Sequence, residues 1–384
     1  MRRPTRRARA AAVLSCSLMA SGLIAARSAS NAAGTPPAPR VGHFFILMLE
    51  NKSYSATFGP GSLAPYLADS LPARGALLRE YYGIGHVSLD NYIALVSGQA
   101  PNRATQTDCA TFTEFALTQP KLNADGQAIG TGCVYPKMVK MLGDQFEAAH
   151  LSWRGYMEDL GNDSTKESAS CGHPTIGGID STTIREASDL YATKHNPFYY
   201  FHTLIDNKAR CTSHVVNLRQ LEGDLKSISR TPNYVFITPN QCNDGHDTPC
   251  VDSEPGGLVQ ANRFLQKWVP RITSSPAFKQ DGLLLITFDE ASGPPGQDTS
   301  ACCGEEGLPG QEHPPGWSGP GGGKVGAVIL SPFVKPGTVS DVPYNHYSTL
   351  RWVENNFGLA PLGYAKAKLA TFGTDIFGQT SPKH

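Results

Sequence analysis

Outside its first 33 residues the 384-residue sequence has no apolar stretch long enough to cross a bilayer, a task that takes about 20 residues. An integral membrane span is therefore excluded once a leader is removed. No segment repeats at a fixed period, which excludes solenoids and propellers. No Cys-x-x-Cys pair occurs, so a zinc site of thiolates is discounted. A basic excess is missing too. The chain carries 33 basic and 33 acidic residues, and six of the arginines fall in the first 33 residues, where there are no acids. The remainder holds 27 basic against 33 acidic residues, near −6. A nucleic-acid binder needs a basic face, so that class is set aside. Phosphorylated substrates stay open, because a metal ion can supply positive charge locally.

What is present begins with an export leader, residues 1–33. Arg2, Arg3, Arg6, Arg7 and Arg9 precede a small, apolar run from Ala10 to Ala26, and Ser28-Ala29-Ser30 and Ser30-Asn31-Ala32 offer cleavage sites. Ser15, Ser17, Ser21 and Gly22 interrupt the run, which favours a signal peptide over an anchor. Thr5-Arg6-Arg7 has a weak twin-arginine character. The expected destination is extracellular or periplasmic. Residues 34–40 read as linker and 41–384 as one catalytic domain. Eight cysteines remain after the leader, and an even number in an exported chain points to disulfides. Spacing does not determine pairing; near neighbours suggest Cys109–Cys133, Cys171–Cys211 and Cys242–Cys250.

Apolar runs of strand length occur at 43–49, 151–157, 233–238, 283–288 and 325–330. Such runs suit strands buried on both faces of a parallel sheet. Helical patterns fall at 62–72, 88–97, 135–150, 258–272 and 347–357, with Met138, Met141, Leu142 and Phe146 read as core. Residues 99–134 and 291–323 read as loops, and 160–211 as an irregular insertion over one end of the sheet. The expected fold is α/β, a mostly parallel sheet with helices on both faces.

Polar clusters fall directly after three of the strands: Glu50-Asn51, then Asp244, His246 and Asp247, then Asp289-Glu290. In a parallel sheet those carboxyl ends share one edge, where ligands bind. Together they read as a site for a hard cation, made of carboxylates and imidazole. Glu158-Asp159 also follows a strand and is left outside the set. Ser88 opens the 88–97 helix, with Asn91 one turn on. Alone it reads first as a helix cap. The same place also favours an incoming phosphate, because unpaired N–H groups and the helix dipole face it. A metal held by Glu50, Asp289 and Glu290 would stabilise a Ser88 alkoxide. Asn91 would hold a phosphoryl oxygen. His246 and His346 would bind a second ion or protonate the leaving group, and His86 lies near enough to share the pocket.

In this order the pieces resemble the alkaline-phosphatase superfamily. Ser88-Leu89-Asp90-Asn91-Tyr92-Ile93-Ala94-Leu95-Val96-Ser97-Gly98 looks like its nucleophile helix. More narrowly, Leu49 to Tyr54, His86 to Tyr92, Pro239 to Asp247, Phe288-Asp289-Glu290 and Leu330 to Gly337 resemble the bacterial and fungal phosphoesterase family of secreted acid phosphatases and phospholipases C. The resemblance implies Ser88 as a nucleophile passing through phosphoserine. It implies Glu50, Asn51, Asp289 and Glu290 as metal ligands, and Asn91, His246 and His346 as phosphate or metal contacts. Asp-Glu stands where two-zinc members place Asp-His, so the divalent ion is open among Mg, Mn, Ca and Zn. The substrate implied is a small phosphate ester or a phospholipid headgroup. No long C-terminal extension of the larger phospholipase C kind is present, which favours phosphomonoesters; phosphodiesters are the alternative.

Overall fold

His43–Leu49 (β1) forms a strand because every side chain in it is apolar or aromatic apart from His43, and all seven are buried. It lies in the middle of an eight-stranded sheet. The other strands are Ala76–Leu78 (β2), Trp153–Met157 (β3), Val215–Asn217 (β4), Tyr234–Thr238 (β5), Gly282–Phe288 (β6), Ala327–Leu330 (β7) and Thr338–Ser340 (β8). Their order is β8-β2-β7-β6-β1-β5-β3-β4. β7 runs against its neighbours β6 and β2, and every other pairing in the sheet is parallel. The computed structural model describes residues 39–292 and 297–378, which all belong to one compact unit. The leader and linker residues 34–38 lie outside the described residues.

The register sets the site. Leu49 pairs with Phe288 across β1 and β6, and Leu47 with Ile237 across β1 and β5. The next residues of all three strands therefore emerge together at one edge. Backbone bonds continue the pairing past the strands: Glu50 N–H donates to the Asp244 carbonyl at 2.9 Å, and Asp289 N–H to that of Leu49 at 2.9 Å.

Four helices matter here: Ser88–Ser97 (α1), Leu142–Ala148 (α2), Gly257–Ser274 (α3) and His346–Phe357 (α4). All ten residues of α1 are buried. It stops at Gly98, whose φ of 68° is left-handed and where a Cβ would meet the Leu362 carbonyl oxygen at 2.4 Å. Only glycine ends the helix there without strain. The aromatic core packs Phe44 against Tyr234 and Trp352, and Phe146 against Tyr234 and Phe357. Full burial of a side chain such as Phe44 or Phe146 contributes about 1.5–3 kcal/mol.

Two expected helices are shorter than their patterns. Residues 62–72 give a wide turn at Tyr66–Ser70 and a tight one at Pro72–Arg74, since Pro72 has no N–H to continue a helix. Residues 135–150 are helical only over α2. Tyr135 instead bonds the Tyr200 carbonyl through its N–H, at 2.7 Å, and Pro136 follows it. Met138 is accordingly 41% exposed and not core. The 160–211 insertion carries two short helices at its end, His202–Ile205 and Lys208–His214. The three suggested disulfides form, and Cys302 bonds its neighbour Cys303 as well. Among the described residues no helix is long and apolar enough to cross a membrane.

Candidate active site

Ser88 does not cap α1. The cap position is Val87, in extended conformation, and Ser88 is the first residue inside the helix. Its Oγ donates to Glu50 Oε2 at 2.8 Å, with both residues buried. The Leu89 N–H, one of the unpaired donors of the first turn, is taken by Asp108 Oδ1 at 3.1 Å. Asp108 sits in left-handed conformation just before the disulfide-bonded Cys109. One donor of the helix end is thus taken by a loop carboxylate, and the serine hydroxyl turns to the strand edge.

Glu50 is the hub. Its Oε1 accepts the Tyr92 hydroxyl, which stands one turn after Ser88 on the same helix face. The His195 Nε2 lies 3.5 Å from that oxygen, and the His195 Nδ1 lies 3.4 Å from Asp244 Oδ2. Ligand atoms of Glu50, His195 and Asp244 all lie within 4.8 Å of one another. Asp289 joins from the next strand: its Oδ1 accepts the Asn51 N–H at 2.9 Å. Asn51 itself has a φ of 53°, a left-handed position that asparagine tolerates.

Electrostatics set these groups apart. Burial, then the charges of Asp289 and Asp244, push the Glu50 carboxyl well above the ordinary range. Burial likewise raises Asp244 and Asp289. It holds His195 well below its ordinary value, helped by Lys194, so the ring is neutral. Five buried polar atoms here have no hydrogen-bond partner among the described residues: both His195 nitrogens, Asp244 Oδ2, Asp289 Oδ2 and Asn51 Oδ1. Each such orphan costs about 1–3 kcal/mol if left bare. Lone pairs of carboxylates, an amide and a neutral imidazole around one point fit a divalent cation. The donor set includes the imidazole nitrogens of His195 beside the carboxylate oxygens.

The remaining expected residues are placed differently. Glu290 leaves the Glu50 group and pairs with His86 Nδ1, while His86 Nε2 lies 2.8 Å from the Asp298 carbonyl. His246 is 25% exposed; its Nδ1 lies 2.8 Å from Asp247 Oδ1, and its ring centroid is 6.5 Å from that of His195. Asp247 also faces Arg185 Nη1 at 3.3 Å. His346 is not at the pocket. Its Nε2 lies 2.6 Å from the Asp289 carbonyl and its Nδ1 3.2 Å from the Tyr81 hydroxyl, and burial lowers it to about 4. It positions the Asp289 backbone. Asn91 is likewise spent on backbone: its Oδ1 accepts Ile84 and Gly85 N–H, and its Nδ2 donates to the Gly85 and Val87 carbonyls. It holds the turn that presents Ser88.

His195 is absent from the set read off the sequence. No strand precedes it, so the strand-end pattern does not reach it. The available signal is Lys194-His195-Asn196 standing before the aromatic-rich run Pro197 to Phe201.

The phosphoesterase family's sequence pattern matches residues 62–360. The chain belongs to the phosphoesterase family. It is 28% identical over 320 residues to a phosphate-repressible acid phosphatase of Penicillium chrysogenum, covering 83% of this chain and 60% of that one. It is 26% identical over 366 residues to a phosphatidylinositol-3-phosphatase of Mycobacterium tuberculosis, covering 95% and 92%. The chain spans about six-tenths of the length of the fungal acid phosphatases it matches. A solved alkaline-phosphatase-superfamily protein of Vibrio parahaemolyticus superposes with a TM-score of 0.50 at 11% identity, covering 91% of this chain and 72% of that one. The phosphoesterase thus has the fold of that superfamily.

Proposed function

We propose that this phosphoesterase is an exported, metal-dependent phosphatase that hydrolyses phosphomonoesters through a phosphoserine intermediate. The observation that carries the reading is Ser88 Oγ at 2.8 Å from Glu50, beside orphaned polar atoms of Asn51, His195, Asp244 and Asp289. Glu50 and those four residues would hold the ion, which when bound supplies charge to favour serine ionisation and to neutralise phosphoryl oxygens. Glu50 orients the Ser88 hydroxyl. Ser88 Oγ forms a bond to phosphorus while the bond to the leaving oxygen breaks. His246, tied to Asp247 through Nδ1, is the partly exposed imidazole that gives the leaving alkoxide its proton. Water then cleaves the phosphoserine and frees phosphate. The similarity to named acid phosphatases supports the monoester reading.

The deciding assay compares p-nitrophenyl phosphate with bis(p-nitrophenyl) phosphate, each with Mg, Mn, Ca or Zn added. The monoester is expected to be turned over with at least about 100-fold higher kcat/KM, some 2.7 kcal/mol of discrimination. A reversed preference, or phosphocholine released from phosphatidylcholine, would establish the diesterase reading instead.

His195→Ala separates the imidazole from the carboxylates. Loss of one ligand group is expected to weaken divalent-cation affinity by at least about tenfold, the lower end of what loss of a mere outer partner of a ligand costs. The readout is the cation concentration giving half the maximal thermal stabilisation. An unchanged midpoint removes His195 from the ligand set.

A further inference from the structure

Of the four disulfides among the described residues, one is unlike the rest. Cys302 bonds its immediate neighbour Cys303, whereas the other bonds span 24, 40 and 8 positions. A cross-link stabilises a fold mainly by restricting the unfolded chain, and the restriction grows with the loop it closes. A bond between adjacent residues closes almost none. It is also the only one of the four with neither cysteine buried. Open access to an attacking thiol and little stability lost on opening make it the first to exchange.

The bond also lies where its opening reaches the ion site. Upstream the backbone is anchored: the Ser300 carbonyl accepts the Gly323 N–H at 3.0 Å, and Asp298 Oδ2 accepts the Lys324 N–H at 3.0 Å. Downstream, Cys303 N–H donates to Glu305 Oε2 at 3.0 Å, and Glu305 Oε1 accepts Asn345 Nδ2 at 2.7 Å. Cys302 Sγ rests 3.4 Å from the Tyr344 carbonyl oxygen. Asn345 caps α4, its Oδ1 accepting the Ser348 N–H at 2.9 Å. The first residue of that helix is His346, whose Nε2 lies 2.6 Å from the Asp289 carbonyl. A short chain of polar contacts thus runs from the disulfide through Glu305, Asn345 and His346 to Asp289.

We propose that Cys302–Cys303 is a thiol-operated switch, which a dithiol reductant opens to loosen the hold on Asp289 and so on the divalent cation. The closed bond forces two adjacent side chains together, although neighbours in an extended chain point apart. Once opened they separate, and with 298–300 anchored the change falls on the Glu305 side. A thiolate of the reductant attacks Cys303 Sγ, and the Cys302 sulfur leaves as a thiolate that takes a proton. The reductant's second thiol attacks its own sulfur in the mixed disulfide and frees Cys303 as a thiol. Two electrons and two protons pass to the protein, and the dithiol ends as a disulfide. The inference rests on Asp289 as a cation ligand, and not on which ester is cleaved.

The full chain is titrated with dithiothreitol, and in one portion the free thiols are capped with iodoacetamide and mapped by mass spectrometry. Cys302 and Cys303 are expected to be labelled as a pair before any other cysteine. In the uncapped portion, with the reductant removed, the cation concentration giving half-maximal thermal stabilisation is expected to rise about tenfold. That is the lower end of what losing an outer partner of a ligand costs. Turnover of p-nitrophenyl phosphate at cation concentrations below the midpoint falls in step, and diamide restores both. Cys302→Ser with Cys303→Ser is expected to hold the weak-binding state and to ignore dithiothreitol. Should that variant not fold, the wild-type titration decides by itself. Another disulfide opening first, or an unchanged midpoint with both cysteines labelled, overturns the switch. A response to dithiothreitol that persists in the double variant does so too. A protein whose midpoint shifts but which turns over no phosphomonoester keeps the switch and fails the phosphatase reading. A chain that no cation stabilises in either state overturns both.

Discussion

Ser88→Ala is expected to lower phosphomonoester turnover by about 10⁴-fold or more, as loss of a covalent nucleophile does, while the fold survives. At about 1.4 kcal/mol per decade this is near 5.5 kcal/mol of transition-state stabilisation. The structural cost is far smaller. The substitution removes one hydrogen bond, Oγ to Glu50 Oε2, with a net value of about 0.5–1.5 kcal/mol. Alanine is also the best helix former, and position 88 lies inside α1. Activity and thermal midpoint should therefore separate. Acid quenching of wild-type turnover should trap phosphate on Ser88, and the alanine protein should trap none. Substantial turnover by the alanine protein would sink the mechanism. Among the described residues no other buried hydroxyl at this edge is both at a helix start and bonded to Glu50; the Tyr92 hydroxyl binds Glu50 from one turn further in.

Removing the divalent cation has the second largest expected effect, and it acts on activity and stability together. Glu50, Asp244 and Asp289 are fully buried, and all three carboxyls are raised above their ordinary values, burial being the main cause. In the metal-free protein such groups keep protons that the unfolded chain has already lost. Their contribution to stability is complete below the unfolded values near about 4 and is lost as pH rises through the folded ones. Chelated protein should therefore lose thermal stability over the pH range above those unfolded values of about 4. Added cation should restore it most at the upper end of that range, where the carboxylates are paired with the ion instead of with protons. At 100 times Kd the stabilisation is about 2.7 kcal/mol, or roughly 3–6 °C for a chain of this size. EDTA should abolish turnover at the same time. If chelation leaves both the midpoint and the turnover unchanged at about pH 8, the cluster is no cation site.

Much of the site is legible in the amino-acid sequence, and its legibility has a physical origin. A strand buried on both faces must be apolar along its length, so the first polar residues after it mark where the sheet ends. That mark picks out Glu50, Asp244 and Asp289, and the register of β1 with β5 and β6 brings them to one edge. Ser88 is legible because a helix start follows a turn. The same logic misleads at Glu290, His346 and Asn91. They have the right residue types at the right places along the chain, yet their hydrogen-bonding groups go to His86, to the Asp289 and Tyr81 groups, and to the 84–87 backbone. The full helix expected over 135–150 does not form for a related reason. Its spacing is helical, but the tertiary pairing of Tyr135 with Tyr200 takes the backbone N–H that a helix would use.

The buried strands, the polar residues at their ends, the helix opened by Ser88 and the near-neighbour cysteines are all written in the chain, because burial and chain reversal leave periodic local marks. Which of those groups meet is settled by the three-dimensional path of the backbone. His195 reaches Glu50 and Asp244 from an insertion with no periodic pattern, and Asp108 reaches α1 from a loop bound by a disulfide. Side-chain spacing does not record that path, so contacts between residues so far apart leave no trace in it.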